Sequence, residues 1–212
     1  MIPVEEARRH YQGADAAHDF EHVLRVLRLV ERIGEAEGAN MAVLRAAVLL
    51  HDVARAAERA GGPCHARAGA ERAREILHGQ EPAVVEAVAE AVASHRFRGG
   101  EQPCSLEARV LFDADKLDAI GAIGIARAYA IAGALGQRLW GEVPARYAAR
   151  APIEGRADHV AREHTPVHEY AFKLVRLRDS LFTPTARQIA AGRHAFMEAF
   201  FERLGKEVEG KL

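Results

Sequence analysis

Apolar residues recur along most of this chain at intervals of three and four positions, which is the spacing of one face of an α-helix. The clearest case is the segment 19–38, where Asp19 is the expected N-cap and Gly38 the expected end. A second helix is expected to begin at Asn40 and is apolar almost all round through Leu50, so it should lie at the centre of the fold. The glycines at 61 and 62 end this helix or its continuation.

The same periodicity continues towards the C-terminus and predicts further helices over 64–79, 81–96, 105–133, 167–182 and 186–210. Pro82 and Ser105 are the expected start signals of two of them. Between residues 133 and 166, glycine, proline and charged residues cluster without periodicity, which predicts a long loop or lid. Strand-like alternation is nearly absent, so the predicted fold class is all-α.

The length of 212 residues fits one domain, and we expect a single domain over 1–212. Its core is expected at about 18–130, its variable loop at about 133–166 and its C-terminal helices at 167–210. The 29 Lys and Arg residues against 30 Asp and Glu residues give a net charge of -1, which argues against a nucleic-acid partner. No apolar run reaches the length of a signal peptide or membrane span, and the two cysteines form no disulfide framework, so a cytoplasmic protein is expected.

Histidine and aspartate enter several helices where apolar residues would be expected. His22 borders the apolar face of the first long helix, and His51 with Asp52 directly follows the apolar run from Ala46 to Leu50. His95 and Asp115 extend this pattern to two later helices. Unpaired buried charge is costly, and one shared divalent cation would compensate all of these groups. Two imidazoles with two carboxylates suit Mn, Fe, Co, Ni or Zn better than Mg.

In this order the residues form the pattern H…HD…D, with 29 residues from His22 to His51 and 63 from Asp52 to Asp115. The pattern resembles the signature of the HD-domain superfamily of metal-dependent phosphohydrolases. The stretches "HDFEHVLRV", "AAVLLHDVAR" and "LFDADKLDAIGAIGIARAY" resemble a bacterial branch of small, mostly uncharacterised HD hydrolases, which is similar to enzymes described as nucleotide pyrophosphohydrolases. The resemblance runs from about residue 18 to 202, is weakest over 133–166, and implies an HD-domain helical bundle.

The resemblance implies that His22, His51, Asp52 and Asp115 bind the metal, with Asp113 as a competitor for the last position. Manganese is the preferred ion, with Fe, Co, Ni, Zn or Mg as alternatives. Two-metal members of the superfamily carry two further histidines, and His65 and His95 fall in that interval. One metal is favoured, in which case these two histidines would bind phosphate or assist proton transfer.

Several other side chains near the signature are candidates for substrate contact or catalysis: Lys116, Asp118, His18, Arg25, Arg96 and Arg55. Lys116 and the arginines could bind phosphate, Asp118 could orient a neighbour, and His18 could contact substrate. Each of these also has a simple explanation as a solvated helix residue. Arg55 occupies a position where nucleotidase relatives carry a glutamate, so the mechanism of those relatives is not expected here.

The function implied is a divalent-metal-dependent phosphohydrolase of a small phosphorylated metabolite, foremost a nucleoside triphosphate cleaved to monophosphate and pyrophosphate. The alternatives are a phosphodiesterase or nucleotidase of the same superfamily, and a non-catalytic nucleotide- or metal-sensing module. A nucleophilic Cys64 with His65 as its base is disfavoured, since neighbours on a helix diverge by about 100°. The aromatic end of the chain, with Phe196 and Phe200, is expected to pack into the core or against a second subunit of a homodimer.

Overall fold

A computed structural model describes residues 2–11, 20–96, 102–144 and 163–212, and every regular element in these ranges is helical, which confirms the all-α prediction. The first eight helices are α1 Val4–Arg8, α2 Phe20–Glu37, α3 Met41–Leu50, α4 Arg55–Arg59, α5 His65–Ile76, α6 Pro82–Ser94, α7 Leu106–Asp118 and α8 Gly121–Ala134. Towards the C-terminus lie α9 Pro166–Glu169, a π-helical turn Tyr170–Leu174, α10 Val175–Leu177, a 3-10 turn Arg178–Ser180 and α11 Pro184–Val208.

The chain divides into two compact units, of which the first comprises residues 1–116 and 181–186. Helix α3 lies at its centre and packs against α2 and α6, while α5 and α6 form a second close pair. Leu44 and Leu50 of α3 are fully buried, as are Val88 of α6 and Leu111 of α7. The continuous apolar run of α3 is therefore explained by burial on all sides, as its composition predicted.

Three helix ends confirm their sequence signals. The Asn40 side chain accepts hydrogen bonds from the backbone N–H groups of Ala42 and Val43 at 3.0 and 3.3 Å, as an N-cap does. Ser105 Oγ accepts one from the Ala108 N–H at 3.2 Å. Gly38 follows α2 with a φ of 74°, a left-handed conformation that ends the helix at little steric cost.

The expected second helix is interrupted where the histidine and aspartate stand. Helix α3 ends at Leu50, residues 51–54 form turns, and α4 begins at Arg55. Tyr11 supports this turn, because its hydroxyl donates to the Leu49 carbonyl at 3.0 Å. The His51 and Asp52 side chains thus project from a helix end rather than from the middle of a helix.

The expected helix over 105–133 is also two helices, α7 and α8, separated at residues 119–120. Gly121 begins α8 with a φ of 77°, a conformation that a continuous helix does not contain. The prediction of one helix was wrong because apolar periodicity continues across the break, and only the backbone of Gly121 marks it. The expected helix over 167–182 is likewise a succession of short α, π and 3-10 turns.

Helix α11 begins in the first unit, and Asp113 fixes its start. The buried Asp113 carboxylate accepts a hydrogen bond from the Phe182 N–H at 2.9 Å. It also accepts one from the Thr183 N–H and one from the Thr183 hydroxyl, each at 2.7 Å. Thr183 Oγ1 in turn accepts from the Ala186 N–H at 3.4 Å. Residues 183–185, which lie between the predicted helices 167–182 and 186–210, therefore contain a capped helix start.

The second unit comprises Leu117–Ser180 and Arg187–Leu212. Within it, His168 Nε2–H donates to the Glu142 carbonyl at 2.7 Å, which joins the two described ends of the predicted loop; residues 145–162 of that loop lie outside the described residues. Phe201 packs on Tyr170 with ring centroids 4.2 Å apart, whereas Phe196 is 51% exposed, so the expectation of core packing is wrong for Phe196 in this chain.

In the described ranges no single helix is both long and apolar enough to cross a membrane. The pair α7 and α8 reaches that length and composition only when both helices are counted across the break between them.

Candidate metal centre

A first group of possible metal ligands joins the ends of three helices in the first unit. His22 lies in the first turn of α2, His51 and Asp52 follow α3, and ligand atoms of all three lie within 4.8 Å of one another. His22 Nε2 lies 3.4 Å from His51 Nε2 and 3.4 Å from Asp115 Oδ1 of α7. The structure thus brings the four residues of the H…HD…D pattern together.

Asp115, and not Asp113, is the aspartate of α7 that faces these histidines. Its Oδ1 approaches His22, whereas the Asp113 carboxylate is taken up by the start of α11. The structure therefore places Asp115 beside the histidines and its competitor Asp113 at the start of α11.

A second group uses the two additional histidines. His65 begins α5, His95 follows the last residue of α6, and both approach the same oxygen of Asp52, at 3.6 and 3.7 Å from Oδ1. The other oxygen, Oδ2, lies 3.9 Å from His51 Nε2. Ligands about 2.1 Å from one ion lie about 3.0 to 3.4 Å apart at octahedral or tetrahedral angles, so small movements would bring either group to coordinating distance.

Hydrogen bonds to the other ring nitrogen set the orientation of three of these histidines. His51 Nδ1–H donates to the Val48 carbonyl at 2.7 Å and His95 Nδ1–H to the Val92 carbonyl at 2.6 Å, each three residues back at the end of its helix. His65 Nδ1–H donates to Glu58 Oε2 at 2.7 Å. An imidazole that donates from Nδ1 carries its lone pair on Nε2, which is the arrangement found in metal-ligating histidines.

The consequence is clearest for His65 and His95, whose Nε2 atoms face each other at 3.2 Å. Both Nδ1 protons are held by acceptors, so both Nε2 atoms present lone pairs in the neutral rings. Two lone pairs at this distance repel unless a positive charge lies against them, and the Arg55 guanidinium, with Nη1 2.9 Å from His65 Nε2, supplies such a charge. The residues of the second group therefore fit a cation.

The ionisation states also suit metal binding. Burial lowers the pKa of His51 and, with the nearby His95 and Arg55, that of His65, in each case to about 4, so both rings are neutral at pH 7. Burial raises the pKa of Asp52, but the neighbouring His51, Arg55 and His95 outweigh it and hold the pKa well below its ordinary value. Neutral imidazoles and an ionised carboxylate are the forms that coordinate a metal without first losing a proton.

Lys116 is a buried member of the site and not a solvated helix charge. Its ammonium donates to the His95 carbonyl at 3.0 Å and to Asp115 Oδ2. Burial raises the pKa of the Asp115 carboxyl, but Lys116 and a hydrogen bond from His22 bring it well below its ordinary value. Lys116 thus keeps Asp115 ionised beside the histidines.

Glu58 of α4 is a site residue that the sequence reasoning missed. Besides His65, its carboxylate pairs with Arg55 at 3.5 Å and with Arg96 at 3.1 Å, and it is almost fully buried. Arg55 Nη1 also lies 2.9 Å from the His65 ring nitrogens. Two of the predicted substrate contacts, Arg55 and Arg96, are therefore at the site, next to the second group. A lone glutamate seven residues after the HD histidine gave no signal for this role.

The remaining candidates have other surroundings. Asp118 is buried in the second unit, where it pairs with Arg127 at 2.9 Å, so it is not a solvated helix residue. Arg25 is half-buried on α2, one turn after His22. His18 lies outside the described residues. Cys64 precedes α5 with a non-helical backbone, so it and His65 do not diverge as two helical neighbours would, and both approach Glu58.

The fold and this constellation define a family. The family model of the HD domain matches residues 19–120, which contain all of the signature residues. The chain is also 33% identical over 207 residues to the uncharacterized protein YpgQ of Bacillus subtilis (strain 168), an alignment that covers 92% of this chain and 86% of YpgQ. This chain belongs to the HD-domain family.

Two solved structures extend the comparison. The crystal structure of Bacillus subtilis YpgQ in complex with ADP superposes with a TM-score of 0.72 at 29% identity, over 99% of this chain and 100% of that one. An HD-superfamily hydrolase from Bacillus thuringiensis gives a TM-score of 0.72 at 29% identity, over 97% and 94% of the two chains. The relatives thus support a hydrolase of the HD superfamily.

Proposed function

We propose that this protein is a divalent-metal-dependent phosphohydrolase that cleaves a nucleoside triphosphate to the monophosphate and pyrophosphate. The observation that carries the proposal is the Asp52 carboxylate, which directs one oxygen to His51 and the other to His65 and His95. A carboxylate shared between two groups of imidazoles is suited to hold two adjacent cations.

The proposed ligands are His22, His51 and Asp115 for one ion and His65 and His95 for the other, with Asp52 common to both. The sequence favoured a single metal; the second group of ligands supports two, with manganese as the preferred ion because imidazole and carboxylate are mixed. Bound ions supply Lewis-acid stabilisation of phosphoryl charge and lower the pKa of a water molecule.

The charged residues around the centre favour an anionic substrate. Three cationic side chains balance the carboxylates of the site, Asp52, Asp115 and Glu58; they are Lys116, Arg55 and Arg96. The positive charge of bound ions therefore remains available for phosphate. Electrostatic stabilisation of this kind is usually the largest contribution to phosphoryl-transfer catalysis.

Arg55 and Arg96 are the residues that we assign to the phosphate chain. Their side chains are 30% and 28% exposed, so each can reach solvent-borne substrate while Glu58 holds its position. Guanidinium groups bind phosphate oxygens through paired N–H donors. In the reaction, water adds to the α-phosphorus, the bond from that phosphorus to the bridging oxygen breaks, and pyrophosphate leaves.

A nucleotide is favoured as substrate because YpgQ, whose fold this chain shares, was crystallised in complex with ADP. ADP contains the phosphoanhydride bond next to the α-phosphorus that the proposed reaction cleaves. The arginines at the second group of ligands offer donors for such a phosphate chain.

Product analysis tests the proposal directly. The purified protein is incubated with Mn²⁺ and a panel of nucleoside and deoxynucleoside triphosphates, and pyrophosphate, orthophosphate and nucleotide products are measured. We expect pyrophosphate and monophosphate in equal amounts. His51→Ala should lose bound metal and activity together, whereas His78→Ala, at an exposed position, should keep both.

Other outcomes would identify the alternatives. Orthophosphate without pyrophosphate would contradict the pyrophosphohydrolase and indicate a nucleotidase or related phosphatase, and cleavage of phosphodiesters alone would indicate a phosphodiesterase. Tight nucleotide or metal binding without turnover in any divalent metal would contradict the enzyme and indicate a sensing module.

A further inference from the structure

Cys64 lies beside the metal centre, and the proposed reaction does not use it. It is the residue before α5, and its side chain is partly exposed. Its Sγ, a carboxylate oxygen of Glu58 and a ring nitrogen of His65 all lie within 4.8 Å of one another. These three residues, which we call the thiol cluster, share only His65 with the groups described above.

A positive group is already seated in the thiol cluster. Arg96 Nη1 lies 3.0 Å from Cys64 Sγ and 3.1 Å from Glu58 Oε1, so the cluster accommodates a cation between the thiol and the carboxylate. The Arg96 side chain is 28% exposed, and a long side chain of this kind can withdraw into solvent. The space that its guanidinium leaves is then lined by sulfur, oxygen and nitrogen ligands.

The donor set decides which cation would replace the guanidinium. A thiolate with an imidazole and a carboxylate is typical of zinc and other thiophilic ions, whereas Mn²⁺ and Mg²⁺ prefer oxygen ligands. Coordination releases the thiol proton to solvent, and Arg96 keeps its charge.

We propose that the thiol cluster binds a thiophilic divalent cation, Zn²⁺ or Cd²⁺, through Cys64 Sγ, Glu58 and His65 Nδ1, and that this ion inhibits the metal centre. The binding of the ion stands by itself; its inhibitory effect rests on the proposed function.

The shared imidazole is the reason for inhibition. A neutral imidazole offers one lone pair and one N–H. In the present arrangement Nδ1–H donates to Glu58, and the lone pair of Nε2 faces His95 and the Arg55 guanidinium. An ion on Nδ1 moves the ring proton to Nε2, so His65 can no longer serve as a ligand beside His95 and Asp52. Excess zinc should therefore displace the second ion, and excess manganese should not.

Cadmium titration tests the binding. Cys64 and Cys104 are the two cysteines of the chain, and Cys104 is exposed and is not one of the three residues of the thiol cluster, which makes Cys104→Ser the matched background. In Cys104→Ser protein, one equivalent of Cd²⁺ should produce the ultraviolet thiolate-to-cadmium charge-transfer absorption, since Cys64 is then the sole thiol. Absence of this absorption would overturn the proposed site, and this result needs no variant of Cys64 itself. Cys64→Ser in the same Cys104→Ser background should lose the absorption, and retention would also overturn the site.

Manganese release tests the inhibition. The electron paramagnetic resonance signal of free Mn²⁺ is followed while Zn²⁺ is added to the Mn²⁺-loaded Cys104→Ser protein and to the same protein with Cys64→Ser added. Zinc should release the second ion at a concentration at least about tenfold lower in the protein that keeps Cys64. Equal concentrations would overturn the antagonism. The count of Mn²⁺ bound before zinc is added reports on the proposed function separately.

Discussion

Asp52 presents a different oxygen to each half of the metal centre: Oδ2 lies 3.9 Å from His51, and Oδ1 lies 3.6 and 3.7 Å from His65 and His95. The backbone just before it is held as well, because the Tyr11 hydroxyl donates to the Leu49 carbonyl at 3.0 Å. Burial and the Asp52 charge raise the pKa of Tyr11 well above its ordinary value, so this support stays neutral. The position of one carboxylate therefore governs both groups of ligands.

Acid should destabilise the metal-free protein through its buried histidines. The pKa of His51 and of His65 is about 4 in the folded chain, against an ordinary 6.5, so the unfolded chain binds more protons between these values. Stability is then fully present above about pH 6.5 and is lost as pH falls towards 4, by at most about 3 kcal/mol for each histidine. The lowered pKa values of Asp52 and Asp115 continue the loss below pH 4.

Urea unfolding of the metal-free protein measures this dependence. The midpoint should be constant between pH 7 and 8 and should fall steadily below pH 6.5. The exposed-site variant His78→Gln should give the same profile. A profile that is flat or that rises towards acid would contradict the neutral, buried state of these rings.

Glu58→Gln should weaken the second ion selectively. The carboxylate fixes the Nδ1 proton of His65, and loss of such an outer partner typically costs about 10- to 100-fold in metal affinity. Manganese titration should therefore show one ion bound as in the wild type and one bound much more weakly.

The matched control is Glu198→Gln, which alters an exposed carboxylate that pairs with another buried histidine, His194, at 3.4 Å. It should bind both ions with wild-type affinity. Equal affinity of Glu58→Gln and wild type for both ions would show that Glu58 does not orient His65.

At the scale of elements, the ligands cluster at helix ends. His51 and His95 each follow the last residue of a helix, and His65 is the first residue of one. The last turn of a helix leaves carbonyl groups without intrahelical partners. His51 and His95, at the C-terminal ends of their helices, each donate the Nδ1–H to such a carbonyl. The apolar runs of α3 and α6 are buried, so both helices are fixed in the core. The imidazoles of His51 and His95, at their C-terminal ends, are therefore held close together.

Much of this element pattern could be predicted from the sequence, because caps such as Asn40 and Ser105 act through local hydrogen bonds. The breaks after Leu50 and before Gly121 could not, because apolar periodicity runs through both of them. Tertiary contacts and a single left-handed glycine decide where those helices end. Apolar periodicity indicates which face of a helix is buried, but it does not indicate where a helix is interrupted.

Gly69 marks the close approach of α5 to the metal centre. A Cβ at this position would lie 3.2 Å from Val92 Cγ1 and 3.3 Å from the His51 carbonyl, so a larger residue must push α5 away. Gly69→Val should lower the free energy of unfolding by about 1 to 3 kcal/mol and weaken metal binding, since α5 carries His65.

Gly192→Val is the control, because its Cβ would meet nothing within 4 Å in α11. Its effect on the free energy of unfolding should stay within about 1 kcal/mol, the range of helix propensity. Chemical denaturation and manganese titration of both variants make the comparison. Wild-type stability and metal binding in Gly69→Val would contradict the tight approach of α5.

Across the whole molecule, the H…HD…D pattern picked out residues that the structure brings together as a candidate metal centre, because each residue interrupts an apolar face and burial of an unpaired charge is costly. The second group of ligands was only partly predicted: His65 and His95 were candidates, but their shared contact with Asp52 depends on how α5 and α6 pack. Glu58 and Cys64 reach the site from outside the motif, by contacts that no local spacing encodes.

If Asp52 organises a metal centre that hydrolyses phosphoanhydride bonds, Asp52→Asn should lose bound metal and hydrolysis together. A paired measurement of the two quantities on this variant tests that role of Asp52. Bound manganese and pyrophosphate release are determined for the same preparation, with Asp179→Asn, at an exposed aspartate, as the control. This role of Asp52 predicts that Asp52→Asn folds, binds neither ion at concentrations that saturate the wild type and forms no pyrophosphate, whereas Asp179→Asn binds both ions and forms pyrophosphate. Full metal content with wild-type hydrolysis in Asp52→Asn would contradict it.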